Sequence, residues 1–318
     1  MWTLILFIVG FYILVKGAQI LVEGASDIAR FLRVPAWFIG VVIVGIGTSM
    51  PEFAINIAAV LEHDPVGVST IIGSNIFNAL FILGLVSIIA PPAIEKKLVS
   101  KNLLINLAVI LLVGIMFLFG FKESFIGIDR LESFILFLLF LVWVLWEIFG
   151  SHGVTRVKDR DKNLAVGYTL LTIVLGMLGV IFGGRWVVSG ALRGADLLGI
   201  GSSVIGLLII GVGTSITELT VSVTAALKKR SDIAIGNIVG SNVFDFLGIF
   251  GIAGLFGNIP FAPDLYLDLL IAFAGVFIVF ILIQKRGKFA ITRGQGVALV
   301  MLYAVYFLFT IIRVPVIG

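Results

Sequence analysis

The sequence predicts an all-α polytopic membrane protein of ten transmembrane helices, arranged as two inverted-topology repeats of five. Three observations carry that expectation. The chain of 318 residues is 60% hydrophobic and only 13% charged, with a mean hydropathy of +1.21, whereas a soluble domain carries about 25% charged residues. Its apolar residues form continuous runs, not the alternating pattern of a barrel strand. Two long stretches of the chain also match each other in order.

A helix crosses the bilayer with about 20 mostly apolar residues. In chain order such segments cover 3–23, 36–60, 67–90, 102–121, 126–148, 164–188, 201–226, 233–256, 265–284 and 293–313. The first has no basic stretch before it and no small-residue cleavage pattern after it, so it reads as a span and not as a removed leader. The turns between spans carry most of the 22 basic residues in alternate loops. Arg30 and Arg33 lie in the first loop, and Lys96, Lys97 and Lys101 in the third. Arg156, Lys158, Arg160 and Lys162 lie in the fifth, and Lys228, Lys229 and Arg230 in the seventh. The ninth holds Lys285, Arg286, Lys288 and Arg293. The opposite side holds Lys122, Arg130, Arg185, Arg193 and Arg313, and Lys16 falls within the first span. Basic loops stay cytoplasmic. The expectation is a multi-pass protein of the cell membrane with both termini outside.

The internal match gives the domain plan. GIGTSMPE recurs as GVGTSITE: Gly45, Gly47, Thr48, Ser49 and Glu52 correspond to Gly211, Gly213, Thr214, Ser215 and Glu218 at one constant spacing. After one added loop residue, GSNIFN recurs as GSNVFD, with Gly73, Ser74, Asn75, Phe77 and Asn78 matching Gly240, Ser241, Asn242, Phe244 and Asp245. Residues 1–150 form the first repeat, 151–163 a cytoplasmic linker, and 164–318 the second. An odd number of spans per half inverts the second half, and such proteins bind substrate at the repeat interface near the midplane.

Three carboxylates, Glu52, Glu218 and Asp245, lie well inside apolar spans that contain no Lys or Arg. Each charge at the bilayer centre costs at least about 2.5–3.5 kcal/mol, so a bound cation is the natural compensation. Thr48 and Glu52 are four residues apart, as are Ser74 and Asn78, Thr214 and Glu218, and Ser241 and Asp245. On continuous helices each pair shares a face. The expected metal-ligand set is Glu52, Glu218, Asp245, Asn78, Thr48, Thr214, Ser49, Ser215, Ser74 and Ser241. The main-chain carbonyls of Gly45 and Gly211 join it, because glycines and Pro51 weaken the helix there. Thr217 replaces the proline in the second copy. That leaves two possibilities, a less sharply broken helix or a break made by the glycines alone. An all-oxygen set suits a hard cation such as calcium. Cysteine is absent, and His63 and His152 fall in polar stretches, which argues against thiolate or imidazole metal sites.

Other polar residues receive blander readings. Glycine and serine in spans usually serve close packing, and Asn75 and Asn242 are given packing or capping as an alternative role. Glu23 and Asp27 are expected to face water, Glu147 to be interfacial, and the many phenylalanines to face lipid.

These four motifs resemble the two α-repeats of the sodium/calcium exchangers, within the cation/calcium exchanger superfamily, and the ten-span plan is that of the prokaryotic members. The resemblance implies an antiporter exchanging Na+ for Ca2+ by alternating access, with the two Glu and the hydroxyl residues as ion ligands. It further implies that the first and sixth helices slide against a rigid core. The proton/calcium branch of that superfamily usually carries a glycine–asparagine motif before its Glu, so the glycine–threonine in both copies here implies, through the resemblance, sodium over proton coupling. Potassium-dependent or proton/calcium exchange remain the alternatives, with a cation channel as a different class. No GxGD, HExxH or nucleophilic Ser/His set appears, so the chain is not read as an enzyme and no cofactor is expected. The expected partners are Ca2+ and Na+ as substrates and the lipid bilayer, with no nucleic acid and a monomer entertained for the assembly.

Overall fold

The computed structural model describes residues 2–32, 34–91, 96–119, 126–150, 166–197, 212–284 and 291–313. Its elements follow the apolar runs. Helix α1 spans Trp2–Leu32. A bent pair follows, α2 (Ala36–Thr48) and α3 (Met50–Glu62), which meet at 46°. Then come α4 (Val66–Ile89), α5 (Lys96–Phe119), α6 (Arg130–Gly150), α7 (Val166–Leu197) and α8 (Ile216–Leu227). The last three are α9 (Ser231–Phe256), α10 (Tyr266–Gln284) and α11 (Arg293–Arg313). Among the described residues eight helices are long and apolar enough to cross a membrane, nine if the bent pair counts as one span. The start of the expected span 201–226 and the linker 151–163 lie outside the described residues.

Burial ranks the helices. The apolar windows of α9 and α4 are 89% and 78% buried, against 22% for α11 and 28% for α7. The two helices carrying GSNIFN and GSNVFD are therefore the centre of the molecule. Both contain a widened, π-helical stretch, Phe77–Ile82 in α4 and Phe244–Ile249 in α9. Such stretches shift the side-chain register and frequently mark functional positions. The outer faces carry exposed apolar residues such as Tyr12, Leu111, Val142, Met301, Val305 and Ile312, a surface suited to hydrocarbon and not to water. The phenylalanines divide between the two environments. Phe77, Phe244, Phe246 and Phe250 are fully enclosed, and Phe77 stacks on Phe81 and meets Tyr303 edge-on, so lipid-facing bulk describes only part of them.

Backbone-to-backbone contacts fix the central packing. A side chain on Gly240 would lie 2.1 Å from the Val41 carbonyl oxygen, and one on Gly45 would lie 2.9 Å from the Ser241 nitrogen. Only glycine lets α2 press this closely against α9. At the periphery α1 and α7 are joined in the same way. A Cβ on Gly17 would meet Val180 N at 2.7 Å, and one on Gly183 would meet Leu14 N at 2.5 Å.

Several charged residues outside the centre are paired. Glu23 is exposed and accepts from Lys228 at 2.5 Å, while Asp27 pairs with Arg30. Glu147 corrects the interfacial reading. It is 3% exposed and bound to Lys101 and to Asn102, whose amide also accepts from Trp143. A neighbouring basic side chain and an amide compensate this carboxylate inside the protein. Asp268 is likewise held by Tyr306 and Arg313.

Candidate functional site

Two helix breaks set up the site. Helix α2 ends at Thr48, Ser49 leaves helical dihedrals (φ −81°, ψ 10°), and α3 begins at Met50. Pro51 falls in the first turn of α3, where its missing N–H has no intrahelical partner to lose. Glu52 lies in the same turn, where the exposed N–H groups of a helix start favour negative charge. The second copy repeats this geometry. Ser215 has φ −82° and ψ 8°, and Glu218 lies in the first turn of α8. The serine at the break thus takes the same dihedrals with or without a proline two residues on. The carbonyl of Gly211 lies outside the described residues.

The breaks correct one expectation. Thr48 and Glu52 do not stack on a shared helical face, because Ser49 interrupts the helix between them, and Ser215 does the same between Thr214 and Glu218. Convergence comes across the chain instead. Neither serine caps its own helix. Ser49 Oγ donates to Glu218 Oε1 at 3.2 Å, and Ser215 Oγ lies 3.5 Å from Glu52 Oε1 and 2.8 Å from Ser74 Oγ. Each half's hydroxyl therefore reaches the other half's glutamate.

The central helices complete the arrangement. Thr48 Oγ1 donates to Asn237 Oδ1 at 2.9 Å and lies 3.4 Å from Ser241 Oγ. Ser241 Oγ lies 3.3 Å from the Gly45 carbonyl. That carbonyl also accepts from Ser49 N at 3.3 Å, so it is engaged within the helix end and not bared by the break. Between α4 and α9, Asn75 Nδ2 donates to Asp245 Oδ2 at 2.9 Å, and Asn78 Nδ2 to Asn242 Oδ1 at 3.0 Å. All four motifs therefore meet in one polar network.

This network is buried. Glu52, Glu218, Asp245, Asn78, Thr48, Ser215 and Ser241 have no exposed surface, Ser49 and Ser74 are 1% exposed, and Thr214 is 7% exposed. Four of its oxygens are buried with no hydrogen-bond donor: Glu52 Oε2, Asp245 Oδ1, Asn75 Oδ1 and Asn78 Oδ1. Buried acceptors are ordinarily satisfied, and each exception asks for an explanation. No basic side chain among the described residues takes part in the network's hydrogen bonds. Among the described residues no three Asp, Glu, His or Cys side chains converge on one metal position.

Four participants were missed as site residues. Asn237 accepts from Thr48 and donates to Ser222 at 2.9 Å. Asn56 Nδ2 donates to the Glu52 carbonyl at 2.9 Å. Thr217 Oγ1 lies 2.6 Å from Glu218 Oε2 and 2.9 Å from the Thr48 carbonyl. A signal was available for three of them: Asn56, Ser222 and Asn237 are one helical turn from Glu52, Glu218 and Ser241. Asn75 and Asn242 likewise belong to the network.

Fold and centre together define a polytopic membrane protein with a buried network of oxygen-bearing side chains. The family description "Sodium/calcium exchanger protein" matches residues 2–149 and 168–312, and the chain belongs to that family. It is 31% identical to an uncharacterized membrane protein of Methanocaldococcus jannaschii, covering 94% of this chain and 95% of that one. It is 29% identical to the sodium/calcium exchanger MaX1 of Methanosarcina acetivorans, over 95% and 96% of the two chains. The solved structure of the sodium-calcium exchanger NCX_Mj superposes with a TM-score of 0.82 at 28% identity, over 96% of this chain and 97% of that one. The chain is a cation/calcium antiporter and not an enzyme.

Proposed function

We propose that the protein exchanges sodium for calcium across the cell membrane by alternating access at one shared site. In this reading the chain has ten spans as two inverted repeats, with both termini outside. The ion ligands are Glu52, Glu218, Asp245, Asn78, Thr48, Thr214, Ser49, Ser215, Ser74 and Ser241, with the carbonyls of Gly45 and Gly211. The observation that carries it is the set of buried acceptor oxygens without donors, at Glu52, Asp245, Asn75 and Asn78. Hard cations supply the positive charge that such oxygens lack. Two carboxylates compensate one calcium ion, and several sodium ions spread over neighbouring oxygens compensate the same charge. Stripped of both, the carboxylates are uncompensated in a low-dielectric interior. That cost disfavours moving the bare site across the membrane, which favours exchange over leak.

Calcium uptake into proteoliposomes preloaded with sodium tests this reading. Uptake is expected to require an outward sodium gradient and to persist without potassium. Uptake driven only by a proton gradient sinks the sodium assignment. Glu52→Gln and Glu218→Gln are each expected to abolish uptake and calcium binding. Retained calcium affinity in either variant refutes the shared site.

A further inference from the structure

A cavity of about 420 Å³ leads to the site between α3, α7 and the break before α8, and its lining includes Met50, Pro51, Gly184, Arg185, Thr214 and Thr217. Its floor touches the ion-binding network, because the Thr217 hydroxyl is 2.6 Å from Glu218 Oε2. Among the described residues its wall carries one charged residue, Arg185. That side chain is exposed, and among the described residues no carboxylate pairs with it. Its neighbour Gly184 packs so closely on α8 that an added Cβ would lie 3.1 Å from Thr217 Cγ2. A fixed positive charge therefore stands one residue from the point where α7 touches the site.

We infer that Arg185 is a specificity-determining residue of this access cavity, disfavouring divalent more than monovalent cations. The inference rests on the exchange reading above, since it assumes that the site's ions pass through this cavity. A local potential acts on an ion in proportion to its charge. Whatever factor Arg185 imposes on sodium it imposes squared on calcium. At about 10 Å through water, one unit charge lowers local sodium roughly twofold and calcium roughly fourfold. Calcium released into this cavity is then less able to rebind, while sodium suffers less. On the basic-loop orientation the cavity opens outward, so Arg185 favours calcium export.

The test uses the full chain in proteoliposomes. Calcium–calcium self-exchange gives the apparent calcium affinity on the cavity side, and its inhibition by sodium gives the sodium affinity. Arg185→Gln is expected to raise apparent calcium affinity roughly fourfold and sodium affinity roughly twofold at low ionic strength. The difference is expected to vanish near 1 M choline chloride, where the screening length falls to about 3 Å. Arg185→Lys keeps both affinities. Because the chain has no cysteine, Arg185→Cys permits a second version in folded protein, with a cationic thiosulfonate restoring the lower affinities and a neutral one failing to do so. An unchanged calcium affinity, an equal change for both ions, or a change that salt does not remove overturns the role of Arg185. Self-exchange needs no sodium coupling, so failed sodium-driven uptake by the unmodified protein counts against the function and not against this residue.

Discussion

The two site glutamates occupy matching places but have different surroundings, and the difference traces to one residue. Glu218 has both oxygens within reach of hydroxyl donors, Ser49 and Thr217, while Glu52 keeps Oε2 without one. Pro51 stands before Glu52 where Thr217 stands before Glu218, and proline has no hydroxyl to offer. Thr217 has one proton for three acceptors, Glu218 Oε2, the Thr48 carbonyl and the Thr214 carbonyl. Of these Glu218 is the nearest and the charged one. A hydrogen bond to a charged group is worth about 1.5–3 kcal/mol, and that donor competes with a cation for the carboxylate. Thr217→Val is therefore expected to lower thermal stability in calcium-free detergent solution and to raise calcium affinity on the order of tenfold. Unfolding temperatures with and without calcium check both effects. A calcium-induced rise no larger than that of the unmodified protein shows that Thr217 does not restrain Glu218.

At the scale of elements, the pairing of α1 with α7 depends on the absence of side chains. Gly183 presses on Leu14 N and Gly17 on Val180 N, whereas an added Cβ on Gly167 meets nothing within 4 Å. Gly183→Ala is expected to cost about 1–3 kcal/mol by forcing the helices apart, and Gly167→Ala is expected to be neutral or to stabilise by up to about 1 kcal/mol through helix propensity. Unfolding temperatures in detergent separate the two. The apolar runs made most of these helices readable from sequence, because a span needs only length and hydropathy. Glu52 and Glu218 were readable because a buried acid repeated in register has no packing explanation. The bends at Ser49 and Ser215 were not. Spacing arithmetic assumes a continuous helix, and after the break of one residue the hydroxyls of Thr48 and Ser49 meet partners in the other half of the chain. Thr217 was missed because its place in the motif reads as a lost proline, whereas its hydroxyl meets Glu218 beside it and the Thr48 carbonyl of the opposite half. Glu147 was misjudged because hydropathy places a residue along a helix but does not reveal which basic side chain comes alongside it.

For the molecule as a whole, the proposed inversion makes a claim about sidedness that a local symmetry of the fold sharpens. The helix carrying Glu52 ends in a left-handed turn at His63 (φ 57°), and the helix carrying Glu218 ends in one at Lys229 (φ 59°). These two residues correspond in the repeat, and neither is glycine, so the same uncommon backbone conformation has been kept in both copies. If the halves are inverted, these equivalent turns lie on opposite faces of the membrane, the Lys229 turn inside with its basic cluster. Glu62 and Arg230 are exposed members of the two turns, and the natural chain offers no cysteine to confuse labelling. In right-side-out cells Glu62→Cys is expected to react with a membrane-impermeant maleimide, and Arg230→Cys to react only after permeabilisation. Labelling of both from the same side makes the repeats parallel. Glu52 and Glu218 would then enter the site from the same side, and alternating access would need some other basis than exchange of roles between the halves. Labelling of the two turns from opposite sides, with Arg230 outside, keeps the inversion but reverses the orientation, and the Arg185 cavity then opens to the cytoplasm.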